Sequence, residues 1–153
     1  MSDSNSAIST ASSLEADVFV QLQRVADRLL GELADVLKPA ALSPTQYNVL
    51  RVLRGAAGEG RSCREIGQRL ITREPDITRL LDRLEARGLI SRSRHATDRR
   101  VVKTCITPAG LKLLKTLDAR VLELHDLQLA HLGRNRLREL LALLGMVLQE
   151  SGE

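Results

Sequence analysis

Positively charged side chains are concentrated in one short stretch of the chain, residues 91–103. Its five cations are Arg92, Arg94, Arg99, Arg100 and Lys103. Asp98 is the single anion among them. Groups of this charge and density attract phosphate, and phosphate neutralisation supplies much of the affinity of a protein for nucleic acid. A solvated hairpin stabilised by salt bridges is the alternative interpretation, so the neighbouring elements must decide between the two.

Two short predicted strands would present these cations on a hairpin. Residues 89–94 can form the first strand, and residues 101–107, rich in β-branched side chains, can form the returning strand after a turn at 95–98. An amphipathic helix precedes the hairpin and ends at Gly88. Its apolar side is formed by Ile77, Leu80, Leu81 and Leu84. A helix beside a basic hairpin is suited to duplex DNA, because the helix can enter the major groove while the hairpin contacts phosphate.

A second predicted helix lies immediately upstream. Ser62 and Glu65 can form a capping box that starts this short helix. A further helix start follows, with Thr72 predicted as its N-cap and Pro75 in its first turn. Two short helices joined by a turn and followed by a basic hairpin are typical of a winged helix-turn-helix, which favours DNA binding.

Three motifs carry a resemblance to a known family. They are the runs LSPTQYNVL at 42–50, TRLLDRLEARGLI at 78–90, and DRR at 98–100 followed by ITPAG at 106–110. In order and spacing they resemble the MarR (multiple antibiotic resistance regulator) family of bacterial transcription regulators. The resemblance covers roughly residues 14–150. It departs at Ile106, where leucine is usual, and at 74–76, where small hydroxyl residues are common. It implies a mainly α fold with a small β-hairpin wing, in which a winged helix-turn-helix joins a helical dimerisation region.

The chain divides into three predicted parts. Residues 1–13, which include six serines, are predicted to be a disordered tail. Residues 14–40 and 108–150 are predicted to form the helical dimerisation region around a DNA-binding lobe at 41–107. The terminal helices hold more leucine than this lobe can cover, which indicates a two-fold homodimer. The resemblance implies the same homodimer, and a monomer with its helices folded back is the alternative.

The candidate DNA contacts lie on the second helix of the motif and on the hairpin. From the helix they are Thr72, Arg73, Asp76, Thr78, Arg79 and Arg83, with Arg79 as the leading base contact. Arginine can bond guanine through two donors, and a carboxylate can accept from cytosine. Arg83 is expected to contact phosphate or to pair with Asp82 or Glu85. From the hairpin the candidates are Arg94, Asp98, Arg99 and Arg100. The resemblance implies that Arg100 enters the minor groove and that Asp98 braces the wing.

The helix predicted to begin at Ser43 and Pro44 has two interpretations. Serine is a favoured N-cap and proline a favoured first helical residue. Thr45 and Gln46 lie beside the free N–H groups of that helix start, where a phosphate could bind. An ordinary capped core helix explains the same residues equally well.

Regulation could involve a ligand or a thiol. The resemblance implies a crevice for a small aromatic acid or phenol between the dimerisation helices and the reading lobe. Arg24, Arg28 and Tyr47 could approach it, although surface salt bridges for the arginines and a core position for Tyr47 are the alternatives. Cys63 is a candidate redox sensor, because it lies at a helix start beside a cation. A winged-helix module that binds protein is the remaining alternative.

Bulk composition narrows the class of protein. At 153 residues and 43% hydrophobic, the chain can form one domain with a real core. A pI near 9.6 permits nucleic-acid or acidic-membrane binding, and the near absence of aromatic side chains favours duplex DNA over RNA. The sequence has no membrane-length apolar run, no cationic leader and no metal-ligand spacing. It also lacks a phosphate loop, a nucleophile elbow and a paired-carboxylate site. We therefore expect a cytoplasmic non-enzyme without membrane partner, cofactor or metal.

Overall fold

The computed structural model describes residues 13–56 and 58–150, and within these residues the chain forms six α-helices and one antiparallel pair of strands. The elements are α1 (Leu14–Leu37), α2 (Pro44–Arg54), α3 (Cys63–Arg69), α4 (Ile77–Ala86), β1 (Ile90–Arg94), β2 (Val102–Ile106), α5 (Pro108–Leu129) and α6 (Arg134–Glu150). The predicted mainly α class with a β-hairpin is confirmed. Most of the predicted tail lies outside the described residues, whereas Ser13 is the N-cap of α1 and accepts from the Ala16 N–H.

One hydrophobic core joins the lobe to the long helices. Buried side chains come from α2, α3, α4 and β1, and α1 and α5 add Leu37 and Leu114, which are completely buried. The largest of the fully buried lobe residues are Leu50, Leu53, Ile66, Leu81, Leu84 and Ile90. Because the end of α1 and the first half of α5 share this core, the lobe is fixed to both long helices.

Local capping fixes the start of helix α2, and one long-range ion pair ties its end to α5. The Ser43 hydroxyl accepts from the Gln46 N–H, and the Gln46 side chain accepts from the Ser43 N–H, so the capping box is complete. Pro44 occupies the first position, where no N–H is needed. At the other end of α2, Arg54 binds the carboxylate of Asp118 on α5 at 2.8 Å. The side chain of Gln46 is therefore committed to the cap.

Two glycines, one before and one after the hairpin, fix the path of the chain at its two ends. Gly88 ends α4 with φ +69°, a conformation that other residues rarely adopt. The Thr107 hydroxyl donates to the Gly88 carbonyl at 2.6 Å and accepts from the Gly110 N–H, which caps α5. A Cβ at Gly110 would lie 2.3 Å from the Leu89 carbonyl oxygen. The close packing of α5 against the start of β1 therefore requires glycine at 110.

The terminal helices leave many apolar side chains exposed in the single chain. On α6 they are Leu140, Leu141, Leu143, Met146, Val147 and Leu148, and on α1 they include Val18, Phe19, Leu22 and Val25. On α5, Gln128 is buried, whereas its neighbour Leu127 is 77% exposed. No helix in the described part of the chain has both the length and the apolar content needed to cross a bilayer.

Candidate nucleic-acid interface

The helix-turn-helix is formed by α3 and α4. The predicted capping box at the start of α3 is present, with Ser62 and Glu65 exchanging bonds. The predicted N-cap of the next helix is wrong: α4 begins at Ile77, and its cap is Asp76, whose carboxylate accepts from the Arg79 N–H at 3.1 Å. Thr72 instead lies in the turn at 71–76, because Pro75 disfavours helical backbone in the residue before it.

The predicted contacts on the turn at 71–76 and on α4 all lie at the surface of the lobe. Thr72, Arg73, Asp76, Thr78, Arg79 and Arg83 are all exposed. Arg79 and Arg83, one helical turn apart, line a cleft of about 270 Å³. The opposite wall of this cleft is the N-terminus of α2, including Thr45. The start of α2, the turn and the outer face of α4 therefore meet at this cleft, which carries the guanidinium groups of Arg79 and Arg83.

The tip of the hairpin is closed by Asp98. Its carboxylate accepts from the Arg100 N–H at 3.0 Å, and its carbonyl accepts from the Val101 N–H. The side chains of Arg94, Arg99 and Arg100 are exposed, and none of the three forms an ion pair within residues 13–56 and 58–150. The bonds made by Asp98 involve the main chain, so the nearby guanidinium groups stay free for another partner.

Arg92 is directed toward α4 and has carboxylate partners. Its Nη2 atom lies 2.5 Å from both Asp82 Oδ1 and Glu85 Oε2, and its backbone N–H donates to Glu85 Oε1. The hydrogen bond from Arg92 lowers the pKa of Glu85. The predicted pairing of Arg83 with these two carboxylates is therefore wrong, because they bind an arginine of the neighbouring strand.

Lys103 connects the other strand of the hairpin to α3. Its Nζ lies 3.0 Å from Glu65 Oε2. The Ser62 backbone N–H, together with Lys103, lowers the pKa of Glu65 to about 2. Two of the five cations of the stretch 91–103 thus attach the hairpin to the helix-turn-helix, and the other three face solvent.

A cavity of about 390 Å³ lies between the long helices and the lobe. Its lining is mostly apolar, with Leu29, Leu30 and Leu33 from α1, and its polar groups include Tyr47, Asn48, Arg51, His125 and Gln128. Burial raises the pKa of Tyr47. The structure places neither Arg24 nor Arg28 in this lining, and Arg28 pairs with Glu32. The cation that lines the cavity is Arg51, which the sequence reasoning missed.

The two thiols lie on different sides of the hairpin. Cys63 is half-buried and lines a cleft of about 210 Å³ together with Thr78 and Arg92. Cys105 has its Sγ 3.7 Å from the Gly58 carbonyl oxygen. Redox sensing through Cys63 stays a prediction. Among the described residues, no three His, Cys, Asp or Glu side chains are grouped as a metal site requires.

Helix-turn-helix, basic hairpin and long flanking helices together define a winged-helix protein. Residues 42–101 match the model of the MarR family. A MarR transcription factor from Planctomyces limnophilus has a solved structure with 43% sequence identity and a TM-score of 0.69, covering 88% of this chain and 97% of that one. The chain therefore belongs to the MarR family of transcriptional regulators, as the sequence motifs predicted.

Two further relatives carry functional names. The transcriptional repressor CouR, solved bound to a 23-mer DNA duplex, is 31% identical with a TM-score of 0.75, covering 88% of this chain and 92% of that one. The HTH-type transcriptional repressor MdtR of Bacillus subtilis (strain 168) is 29% identical over 101 residues. That match spans 66% of this chain and 64% of the length of MdtR.

Proposed function

We propose that this chain is a transcriptional repressor that binds a specific sequence of double-stranded DNA. The observation that carries the proposal is the free arginine side chains on the wing, at Arg94, Arg99 and Arg100, on the same lobe as the exposed face of α4. Three exposed guanidinium groups without carboxylate partners give the wing a positive surface, and the phosphates of a DNA backbone are the anions that such a surface attracts. The DNA duplex bound to CouR and the repressor name of MdtR support the same function.

Each part of the surface has a distinct role in this proposal. Arg79, on the outer face of α4, contacts a base edge in the major groove, with guanine as its best partner. Arg100 enters the minor groove, whose narrow and negative form attracts guanidinium, and Asp98 holds the turn that presents it. Arg94 and Arg99 contact phosphate. From α4 and its turn, Thr72, Arg73, Thr78 and Arg83 complete the contacts.

Asp76 has a double role in the proposal. One of its carboxylate oxygens already accepts from the Arg79 N–H, as the cap of α4. A contact with a cytosine amino group would therefore use its other oxygen. In this arrangement Asp76 contributes to sequence specificity more than to affinity, because a carboxylate near phosphates weakens binding to every sequence.

We also propose that the repressor is a homodimer. The exposed apolar side chains of α1 and α6 form a surface that a single chain leaves in water, and surfaces of this kind mark interfaces. A two-fold dimer presents two copies of α4 at about 34 Å, one turn of DNA. The proposed binding site is accordingly palindromic. Residues 14–40 and 108–150 would hold the dimer together, and the lobe at 41–107 would contact DNA.

The cavity beside α1 is the proposed effector site. A volume of about 390 Å³ with a mainly apolar lining fits a small aromatic acid or phenol. Arg51, whose guanidinium lies 5.9 Å from the centre of the Tyr47 ring, would neutralise the acid group. Binding there would release the repressor from DNA, because Thr72 belongs both to the cavity lining and to the turn before α4.

Selection of bound duplexes from a random pool tests the DNA-binding proposal. The enriched sequences should be inverted repeats with half-site centres about 10 bp apart. Fluorescence anisotropy should then give tighter binding to the enriched duplex than to a scrambled duplex of equal length and composition, and a steep loss of affinity with salt. Equal affinity for the two duplexes would eliminate sequence-specific recognition.

A further inference from the structure

The turn between α3 and α4 is held to the lobe by the side chain of Asn48. The Oδ1 atom of Asn48, in the middle of α2, accepts from the Ile71 N–H at 2.9 Å. Leu70, the C-cap of α3, has left the helix with φ −67° and ψ 142°. Ile71 is therefore the first residue of the turn, and its N–H donates across 23 residues of sequence to a helix of the core.

Little apolar burial fixes this part of the turn. The Ile71 side chain is 78% exposed, and Thr72 and Arg73 are exposed as well. Asn48, by contrast, belongs to a helix that is anchored on both sides of it, because Tyr47 and Val49 are buried. A hydrogen bond from an exposed segment to a fixed helix restricts the positions that the segment can occupy. The restricted segment leads directly to Asp76, the cap of α4.

We propose that Asn48 is a positioning residue for DNA recognition, which fixes the turn at 71–76 and with it the start of α4 without itself contacting DNA. The inference rests on the proposed function, since it concerns the same reading surface. Asn48, Ile71 and Thr72 also line the 390 Å³ cavity together. The bond between Asn48 and Ile71 therefore lies where an occupant of the cavity would meet the turn, which makes it the link between effector and reading helix.

Three variants of Asn48 test the proposal in the full-length protein. Asn48→Leu keeps the approximate size of the side chain and removes the acceptor, and Asn48→Ala removes the acceptor without apolar bulk in case leucine destabilises the lobe. Asn48→Asp keeps an acceptor oxygen at the same place. The control is Arg87→Met, which removes another tether of the lobe, the bonds from Arg87 to the Ala40 and Ala41 carbonyls.

Two readouts are required. Hydrogen exchange of the Ile71 amide, resolved by NMR, should become roughly two- to tenfold faster in Asn48→Leu and Asn48→Ala, the factor expected for one neutral hydrogen bond. It should stay slow in Asn48→Asp and in Arg87→Met. The Kd for the selected duplex should rise by a similar factor in Asn48→Leu and Asn48→Ala, and stay unchanged in Arg87→Met. In Asn48→Leu and Asn48→Ala the slope of log Kd against log salt should equal that of the wild type, because no cation is removed.

Several results would overturn the inference. They are faster exchange at Ile71 with an unchanged Kd, or a raised Kd with Ile71 still protected, in Asn48→Leu or Asn48→Ala. Failure of the proposed function is distinct, because the wild type itself would then show no preference for any duplex. The exchange measurement would in that case still report whether Asn48 holds the turn, but the claim about DNA recognition would fall with the function.

Discussion

Replacement of Arg100 by alanine gives the sharpest separation of DNA binding from folding. The Arg100 side chain is exposed and forms no ion pair among the described residues. Its bond to Asp98 uses the backbone N–H, which alanine keeps. We therefore expect the free energy of unfolding to change by no more than about 0.5 kcal/mol, as for an ordinary surface substitution.

The same substitution should weaken binding to the duplex strongly. Loss of one specific arginine contact costs about 1–3 kcal/mol, which corresponds to a Kd raised about 5- to 150-fold. Anisotropy titrations at several salt concentrations measure this change, and chemical denaturation measures stability. The matched control is Arg120→Ala, which removes an exposed cation of α5 and should leave the Kd near that of the wild type. An unchanged Kd for Arg100→Ala, or an equal loss in both variants, would refute the assigned role of the wing.

Three further predictions concern the wing, acid stability and assembly. Arg92→Ala should raise the Kd for the duplex and leave the slope of log Kd against log salt unchanged, because Arg92 pairs with Asp82 and Glu85 and so positions the wing. A slope lowered by about one in salt titrations would instead make Arg92 a phosphate contact. Glu65 has a folded-state pKa of about 2, below its ordinary value of 4.5. Its bonds therefore stabilise the fold at pH values above 4.5, and this stabilisation is lost as the pH falls toward 2. In Glu65→Gln the melting temperature should therefore fall less steeply with falling pH over this range than in the wild type. The same pH dependence in both proteins would contradict this. Leu141→Asp, at a side chain 73% exposed in the single chain, should shift sedimentation from dimer to monomer with helix content preserved, whereas an unaltered dimer would exclude this part of α6 from the interface.

Local features of this protein could be predicted from the sequence because their causes are local. The N-cap at Ser43 and the capping box at Ser62 involve residues no more than three apart, and both are formed as predicted. The predicted start of α4 was wrong because two side chains within five residues, Thr72 and Asp76, can each act as an N-cap. The sequence alone does not rank the Asp76 carboxylate above the Thr72 hydroxyl. Gly110 was matched as a motif residue, but its cause, the contact with the Leu89 carbonyl, is visible only once α5 meets β1.

Contacts between distant elements could not be predicted in the same way. Proximity along the chain offered Arg83 as a partner for Asp82 or Glu85, yet the structure brings Arg92 to both carboxylates from the adjacent strand. The cavity depends on α1, α2 and α5 together. The resemblance implied a crevice that Arg24 and Arg28 of the first helix could approach, whereas the folded chain supplies Arg51. The bond of Asn48 to Ile71 belongs to the same class, because neither residue has a sequence pattern that identifies its partner.

The number of chains bound to one duplex tests the central claim most directly. Native mass spectrometry with the selected inverted repeat should show two chains per duplex. Scrambling one half of the repeat should greatly weaken binding, because only one copy of α4 then meets its bases. A complex with one chain per duplex, whose affinity does not depend on the second half-site, would contradict a paired repressor that recognises a palindrome.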